Sequence, residues 1–190
     1  MSTRERLAGA HDLELVGLCR TGDRAAFGEL VRRHGSAVRG LVRRMGADAA
    51  AADDVAQDAF LAAFEQIGEF RGEGSFRSWV SRIAARLYAR RWRREARADA
   101  LADDQGEADG APGPSADARI DLDDALAQLS AAERVCVSLC YGAGLSHAEA
   151  AAALNAPLGT IKSHVKRGLD KLRSQLSPDG DGGQRSKVSA

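Results

Sequence analysis

The stretch from Leu145 to Arg173 reads LSHAEAAAALNAPLGTIKSHVKRGLDKLR, two short helical patterns separated by a turn. Ser146 and Glu149 stand three apart ahead of an alanine run, the spacing of a capping box in which serine and glutamate satisfy each other's orphan amides. Asn155 to Gly159 (NAPLG) reads as the turn, and a second helix is expected from Thr160 onward. Along that helix Ile161, Val165, Leu169 and Leu172 recur at steps of four, four and three and form one apolar face. Lys162, Ser163, Lys166 and Arg167 point the other way. Two helices joined by a tight turn make a helix-turn-helix. In that motif the outward residues of the second helix enter the major groove, where Lys and Arg bond guanine and Ser bonds several bases or a phosphate. Thr160 and His164 complete the candidate contacts, and the helix N-terminus offers amides to a backbone phosphate.

Upstream, Ser130-Ala131-Ala132-Glu133 repeats the capping box, and Ile120 to Leu129 reads as a helix before it. Asp99 to Ala118 holds aspartates, glycines, Pro112 and Pro114 with almost nothing to bury, which predicts a disordered acidic linker. The tail after Ser177, rich in Gly, Ser and Asp, reads the same way. The N-terminal half is helical too. Asp12 to Arg20 forms a short helix with Leu13, Leu15 and Val16 inward, and Asp23 caps the next. There Phe27, Leu30, Val31, Val38, Leu41, Val42 and Met45 keep helical spacing past a weak point at Gly35, until Gly46 ends the run. A third helix begins at Asp48, with Val55, Ala59, Phe60, Phe64 and Ile67 inward and Asp53, Asp54, Gln57 and Asp58 outward. Ser75 caps a fourth, on which Phe76, Trp79, Val80, Ile83 and Leu87 share a stripe.

Alanine, leucine and arginine abound while β-branched residues are sparse, so the fold class is all-α. Two small helical domains are expected, 10–97 and 120–176, joined by a flexible acidic linker over 98–119 and followed by a tail over 177–190. The sequence has no membrane-length apolar window and no apolar core of a secretory signal near Met1, which predicts a cytoplasmic location. The 27 basic and 27 acidic residues cancel, but they are segregated. Arg82, Arg86, Arg90, Arg91, Arg93, Arg94 and Arg97 face only Glu95, and a field screened over about 10 Å is not cancelled by distant acids. Cys136 and Cys140 are four apart, with His147 and His164 beyond. They are read as small core residues; a metal or redox site is the alternative, weakened by the lack of a C-x-x-C or H-x-x-x-H pairing.

The run DDVAQDAFLAAFEQIGEFRGEGSFRSWVSRIAARL, Asp53 to Leu87, resembles region two of bacterial sigma factors. The run LSAAERVCVSLCYGAGLSHAEAAAALNAPLGTIKSHVKRGLDKLR, Leu129 to Arg173, resembles their region four. Their order, with a short connection, is similar to the extracytoplasmic-function (ECF) group of the sigma-70 family, over residues 10–97 and 120–175. The resemblance implies that Asp53, Asp54, Gln57, Asp58 and Leu61 dock on the clamp helices of core RNA polymerase. It implies that the loop Phe70 to Phe76, with Arg71, Gly72 and Ser75, captures an unstacked base of the −10 element. Arg77, Arg82, Arg86 and Arg90 would then lie along promoter phosphates, and the −35 element falls to the helix-turn-helix. It further implies an anti-sigma factor as partner, no cofactor and no catalysis by the chain itself. The acidic linker is either a transcript mimic in the polymerase's RNA path or a plain spacer. Ser130 stands where a proline is usual, Asn155 where glycine is common, and Ala85-Arg86-Leu87 where the family often has asparagine. Two rivals remain: a stand-alone regulator with a helical sensor domain, and a metal- or redox-dependent enzyme built on the cysteines.

Overall fold

The computed structural model describes residues 3–102 and 122–176, and among these every regular element is helical. The N-terminal unit comprises α1 (Thr3–Gly9), α2 (Asp12–Arg20), α3 (Arg24–Arg44), α4 (Ala49–Glu65) and α5 (Phe76–Ala102). A 3-10 turn, Ile67–Glu69, follows α4. The C-terminal unit comprises α6 (Leu122–Ala127), α7 (Ala131–Val137), α8 (His147–Leu154) and α9 (Leu158–Leu176), with a π-helical turn at Ser138–Gly142. The acidic stretch 103–121 and the tail 177–190 lie outside the described residues, and with them most of the linker.

Local chemistry sets the helix starts. Asp23 accepts from the amides of Ala25 and Ala26, Asp48 from Ala51, and both expected capping boxes, Ser130–Glu133 and Ser146–Glu149, are formed. A third box was not anticipated: His11 Nδ1 accepts from Leu13 N while Glu14 reaches back to the His11 amide. Gly46 and Asn155 carry positive φ, +110° and 49°, and stop α3 and α8 where the sequence placed stops. Gly35 does not interrupt α3, which runs continuously through it with Leu30 before it and Val38 after it fully buried.

Several expectations need correction. Leu13 is 51% exposed and Leu15 fully buried, so α2 turns Leu15, Val16 and Cys19 to the core; Leu13 instead lies toward Gly72 of the loop before α5. Phe64, expected inward, stands at the rim with its ring edge on Phe27 at 5.0 Å. Helix α5 runs through Ala102, past the boundary expected at 97, since Ala98, Ala100 and Ala102 favour helix. Helix α9 starts at Leu158 rather than Thr160, its first turn closed by the Pro157 carbonyl, which accepts from Thr160 and Ile161. Helix α1 was not foreseen. Arg33 on α3 anchors it by donating to the carbonyls of Leu7, Ala8 and Ala10 at 3.0, 2.8 and 2.8 Å, while Glu29 and Asp12 hold the guanidinium in place.

The two units are packed together. Buried residues of α2 to α5 continue without a break into Val135, Cys136, Leu139, Ala143, Leu145 and Ala150 of the C-terminal unit. A smaller cluster, Ala125, Leu126, Leu129, Val137 and Leu172, joins α6, α7 and α9.

Candidate nucleic-acid interface

Helix α9 presents the face expected of a reading helix. Ile161, Val165 and Leu172 are buried and Leu169 half-buried, while Thr160, Lys162, Ser163, Lys166 and Arg167 are exposed and His164 partly so. Its angle is set by α7. Gly168 lies so close that a Cβ there would stand 2.7 Å from Val137 Cγ2. Beside it the buried Glu133 accepts from Lys171 Nζ at 2.7 Å and pairs with Arg167 Nε at 3.5 Å. Burial alone would raise the Glu133 carboxyl, but the hydrogen bonds from Lys171 and Ser130 outweigh it and hold it below the usual carboxylate value. Arg167 also donates to His164 Nδ1 at 3.0 Å. The guanidinium is therefore positioned from both sides, with 58% of the side chain still exposed.

The loop between α4 and α5 stands on an aromatic base. Phe70, Phe76 and Trp79 meet at centroid distances of 5.3 to 5.9 Å, with His34 at 5.6 Å from Phe76. Phe70 and Phe76 are 3% and 1% exposed; Phe76 is buried as its place on the α5 stripe predicts, and Phe70 packs against it beneath the loop. Arg20 secures the loop from α2 by hydrogen-bonding the carbonyls of Ile67 and Phe70. Arg71, Gly72, Ser75 and Arg77 are exposed, and Gly72 and Gly74 hold φ of +77° and +94°, which bare the backbone. Ser75 Oγ accepts from the Ser78 amide at 3.1 Å and so caps α5.

Arg77, Arg82, Arg86 and Arg90 all lie on the exposed side of α5. Two of them are engaged by the C-terminal unit. Arg82 Nη2 donates to the Gly144 carbonyl at 3.1 Å, and Arg86 Nη2 to Glu149 Oε1 at 3.0 Å. Glu149 lies below the usual carboxylate value, first because its capping bond from Ser146 favours the anion, with Arg86 and Arg82 adding to it. Sequence reasoning missed this pairing, since a contact between residues so far apart leaves no local pattern.

Helix α4 exposes Asp53, Asp54, Gln57, Asp58 and Leu61 together, with Asp54 and Asp58 lining one cleft with Arg90 and Arg91 of α5. Leu61 is 56% exposed beside a groove of about 570 Å³ floored by Phe27, Phe60 and Phe64, with Arg39 and Asp53 at its rim. The cysteines lie elsewhere. Burial pushes the Cys19 and Cys136 thiols up to about 11, and raises Cys140 as well, which disfavours the thiolate that metals and oxidants require. Among the described residues no group of three or more His, Cys, Asp or Glu side chains is placed to hold a metal, and no helix is long and apolar enough to cross a membrane.

Comparison with known proteins defines the class. Residues 30–98 match the family description Sigma-70 region 2, and residues 125–174 match Sigma-70, region 4. The chain belongs to the sigma-70 family of RNA polymerase sigma factors, in its ECF group. It is 34% identical over 165 residues to the RNA polymerase sigma factor NccH of Alcaligenes xylosoxydans xylosoxydans, spanning 82% of this chain and 89% of that protein. To the ECF RNA polymerase sigma factor SigW of Bacillus subtilis it is 31% identical over 170 residues, spanning 82% and 91%. Among solved structures it is similar to the sigma factor RpoE in complex with the anti-sigma factor NepR from Bartonella quintana. There the TM-score is 0.53 at 26% identity, covering 80% of this chain and 98% of that one.

Proposed function

We propose that this chain binds core RNA polymerase and directs it to specific promoters, reading a −35 element with α9 and engaging an opened −10 element with the N-terminal unit. The family membership carries the reading, and the exposed polar face of α4 and exposed basic face of α9 support it. Asp53, Asp54, Gln57, Asp58 and Leu61 dock on the polymerase, the polar residues ringing one apolar anchor. Thr160, Lys162, Ser163, His164, Lys166 and Arg167 meet the −35 duplex. Arg71, Gly72, Ser75 and Arg77 meet the extracted −10 base. Phe70 and Phe76 stiffen the loop from beneath, which keeps its open conformation ready before the base arrives. Arg82, Arg86 and Arg90 contribute salt-dependent phosphate contacts that carry little sequence information.

In this reading residues 10–97 dock and open, 120–176 read upstream, and 98–119 are the tether between them. The chain performs no chemistry, needs no cofactor and works in the cytoplasm, where the polymerase supplies nucleotidyl transfer. By likeness to the RpoE–NepR complex it is held in check by an anti-sigma factor. Reconstitution tests the whole: the purified chain is added to core polymerase with a library of promoter fragments, and start sites are sequenced. New start sites sharing spaced upstream motifs are expected. Initiation unchanged by the chain refutes the proposal.

A further inference from the structure

Helix α2, Asp12–Arg20, lies outside residues 30–98 that match region 2, yet its outer face meets the loop assigned to the −10 base. The inward face of α2 is complete without Leu13: Leu15, Val16 and Cys19 are buried, and Leu18 is half-buried against the same core. Leu13 is 51% exposed. A single exposed leucine is ordinary on a protein surface, but the place of this one is not. Leu13 Cδ2 stands 3.4 Å from the point where a Cβ on Gly72 would lie, so its methyl groups adjoin the bare backbone of the loop. Gly72 has no side chain to cover them, and its φ of +77° resists replacement by a residue that has one.

Helix α2 and the loop are held on one frame. In the first turn of α2, Asp12 accepts from Arg33 Nη1 at 3.0 Å and meets His34 Nε2 at 2.7 Å. The His34 ring lies 5.6 Å from Phe76, the ring on which Phe70 also packs. In the last turn, Arg20 hydrogen-bonds the carbonyls of Ile67 and Phe70. The Leu13 amide itself donates to His11 Nδ1 at 3.3 Å. Leu13 and Arg20 are two helical turns apart and share a face, and both contacts of that face fall on one loop. Leu13 is thus an apolar surface fixed beside Gly72 before any ligand arrives, which spares part of the ordering cost of binding.

A base withdrawn from a duplex needs a surface against its face as well as hydrogen bonds at its edge. Arg71 and Ser75 are exposed on the loop and suit the edge. The rings of the loop, Phe70 and Phe76, are buried and cannot take the face. The chain neighbours of Gly72 apart, no described residue but Leu13 comes within 4 Å of its Cβ point. We propose that Leu13 is a wall of the −10 base site, the apolar surface against which the extracted base packs while Arg71 and Ser75 meet its edge. This rests on the reading of the loop as the −10 contact. Helix α2 is then part of the promoter-opening surface as well as a support. Leu13 makes no hydrogen bond to a base, so it strengthens capture without choosing the sequence.

The test uses holoenzyme assembled from core polymerase and the full chain, as wild type, Leu13→Ala or Leu13→Met. The probe is a promoter fragment recovered in the reconstitution above, its −10 element held unpaired by mismatches. A matched set of fragments has each −10 base of the non-template strand removed in turn to leave an abasic site. Affinity is read by fluorescence anisotropy, with circular dichroism and capture by core polymerase expected to be unchanged in both variants. In wild type, the abasic position that weakens binding most marks the captured base. Leu13→Ala is expected to weaken binding to the intact fragment about fivefold, the low end of what base stacking supplies. Leu13→Met, still apolar and of similar volume, is expected to stay near wild type. On the fragment lacking the captured base, Leu13→Ala should cost nothing further, because no base face is left to lose. An equal loss on both fragments, as a purely structural role would give, overturns the proposal, and so does no loss on either. If no abasic position weakens wild-type binding, the −10 reading of the loop fails first and the role of Leu13 falls with it.

Discussion

Replacing Gly168 with alanine should destabilise the protein although it improves helix propensity. In an isolated helix the change is worth about 1 kcal/mol in favour of alanine. Here the new Cβ lands 2.7 Å from Val137 Cγ2, with Glu133 Cβ and Leu129 Cδ1 both at 3.6 Å. Ordinary carbon contacts lie at about 3.5–4.0 Å, so α9 must retreat from α7 by roughly 1 Å or Val137 must leave its rotamer. Overpacking of this kind costs about 1–3 kcal/mol. The net is a loss of about 0–2 kcal/mol, or up to several degrees in Tm for a chain of this size. A double-mutant cycle isolates the cause. Val137→Ala alone removes two buried methyl groups, about 1.5 kcal/mol of transfer energy plus a cavity term. Adding Gly168→Ala then fills part of that void and recovers about 1 kcal/mol of propensity, so the pair should be more stable than Val137→Ala by itself. Urea unfolding followed by circular dichroism measures all four states. If Gly168→Ala stabilises the otherwise unchanged protein by its full helix propensity, the close approach of α7 and α9 is not as described. The same variant in the holoenzyme should lose discrimination at the −35 element, because a recognition helix displaced by 1 Å no longer meets base edges squarely.

Other consequences can be checked singly. Lys166→Ala should weaken binding by roughly 1–3 kcal/mol at the −35 base it reads and relax selection there; a loss equal for all sequences, with the salt slope lowered by about one unit, would make it a phosphate contact instead. Leu61→Arg should leave the unfolding free energy within about 0.5 kcal/mol of wild type while greatly reducing capture by core polymerase, since Leu61 is mostly exposed; undiminished capture in a pull-down removes α4 from the docking face. Glu29 is held at about 2, first by hydrogen bonds from Arg32 and then from Arg33. A depressed carboxyl contributes stability that is whole above its ordinary value near 4.5 and drains away as pH falls through about 2. Acid titration of stability should therefore slope across that window in wild type and run flatter there in Glu29→Gln; identical slopes would show that Glu29 is not what ties α1 and α2 to α3.

What the sequence made legible was whatever local chemistry decides. Caps at Asp23, Asp48, Ser130 and Ser146 are two- and three-residue events, and each lies where its pattern put it. The stripe of α9 and the polar face of α4 follow from a single period, so the exposure of Lys162, Lys166 and Gln57 could be read directly. Short helices were read less well. On α2 a nine-residue pattern offers two phases, and contacts with α3 chose the one that buries Leu15 and releases Leu13. The burial of Phe76 was legible from its stripe, whereas that of Phe70 was not, because it depends on ring contacts with Phe76 and Trp79 across a loop. The π-helical turn at Ser138–Gly142 had no sequence signal; the tight fit of Gly142 on Leu41 is a tertiary constraint. The same holds for Arg134 on Gly46. That glycine was assigned from its helix-stopping role alone, yet it also vacates the space for the guanidinium.

The seam between the units has a further consequence for the chain as it is made. All of its N-terminal half, Arg44, Leu41, Gly46, Arg82 and Arg86, precedes all of its C-terminal half in the order of translation. Ribosomes add about 5–20 residues per second and domains tend to fold as they emerge, so the N-terminal unit exists for several seconds before α8 is available to cover it. During that interval its arginine face is bare beside ribosomal RNA, the most concentrated polyanion in the vicinity. The contacts of Arg82 with Gly144 and of Arg86 with Glu149 can therefore form only once the C-terminal unit has followed.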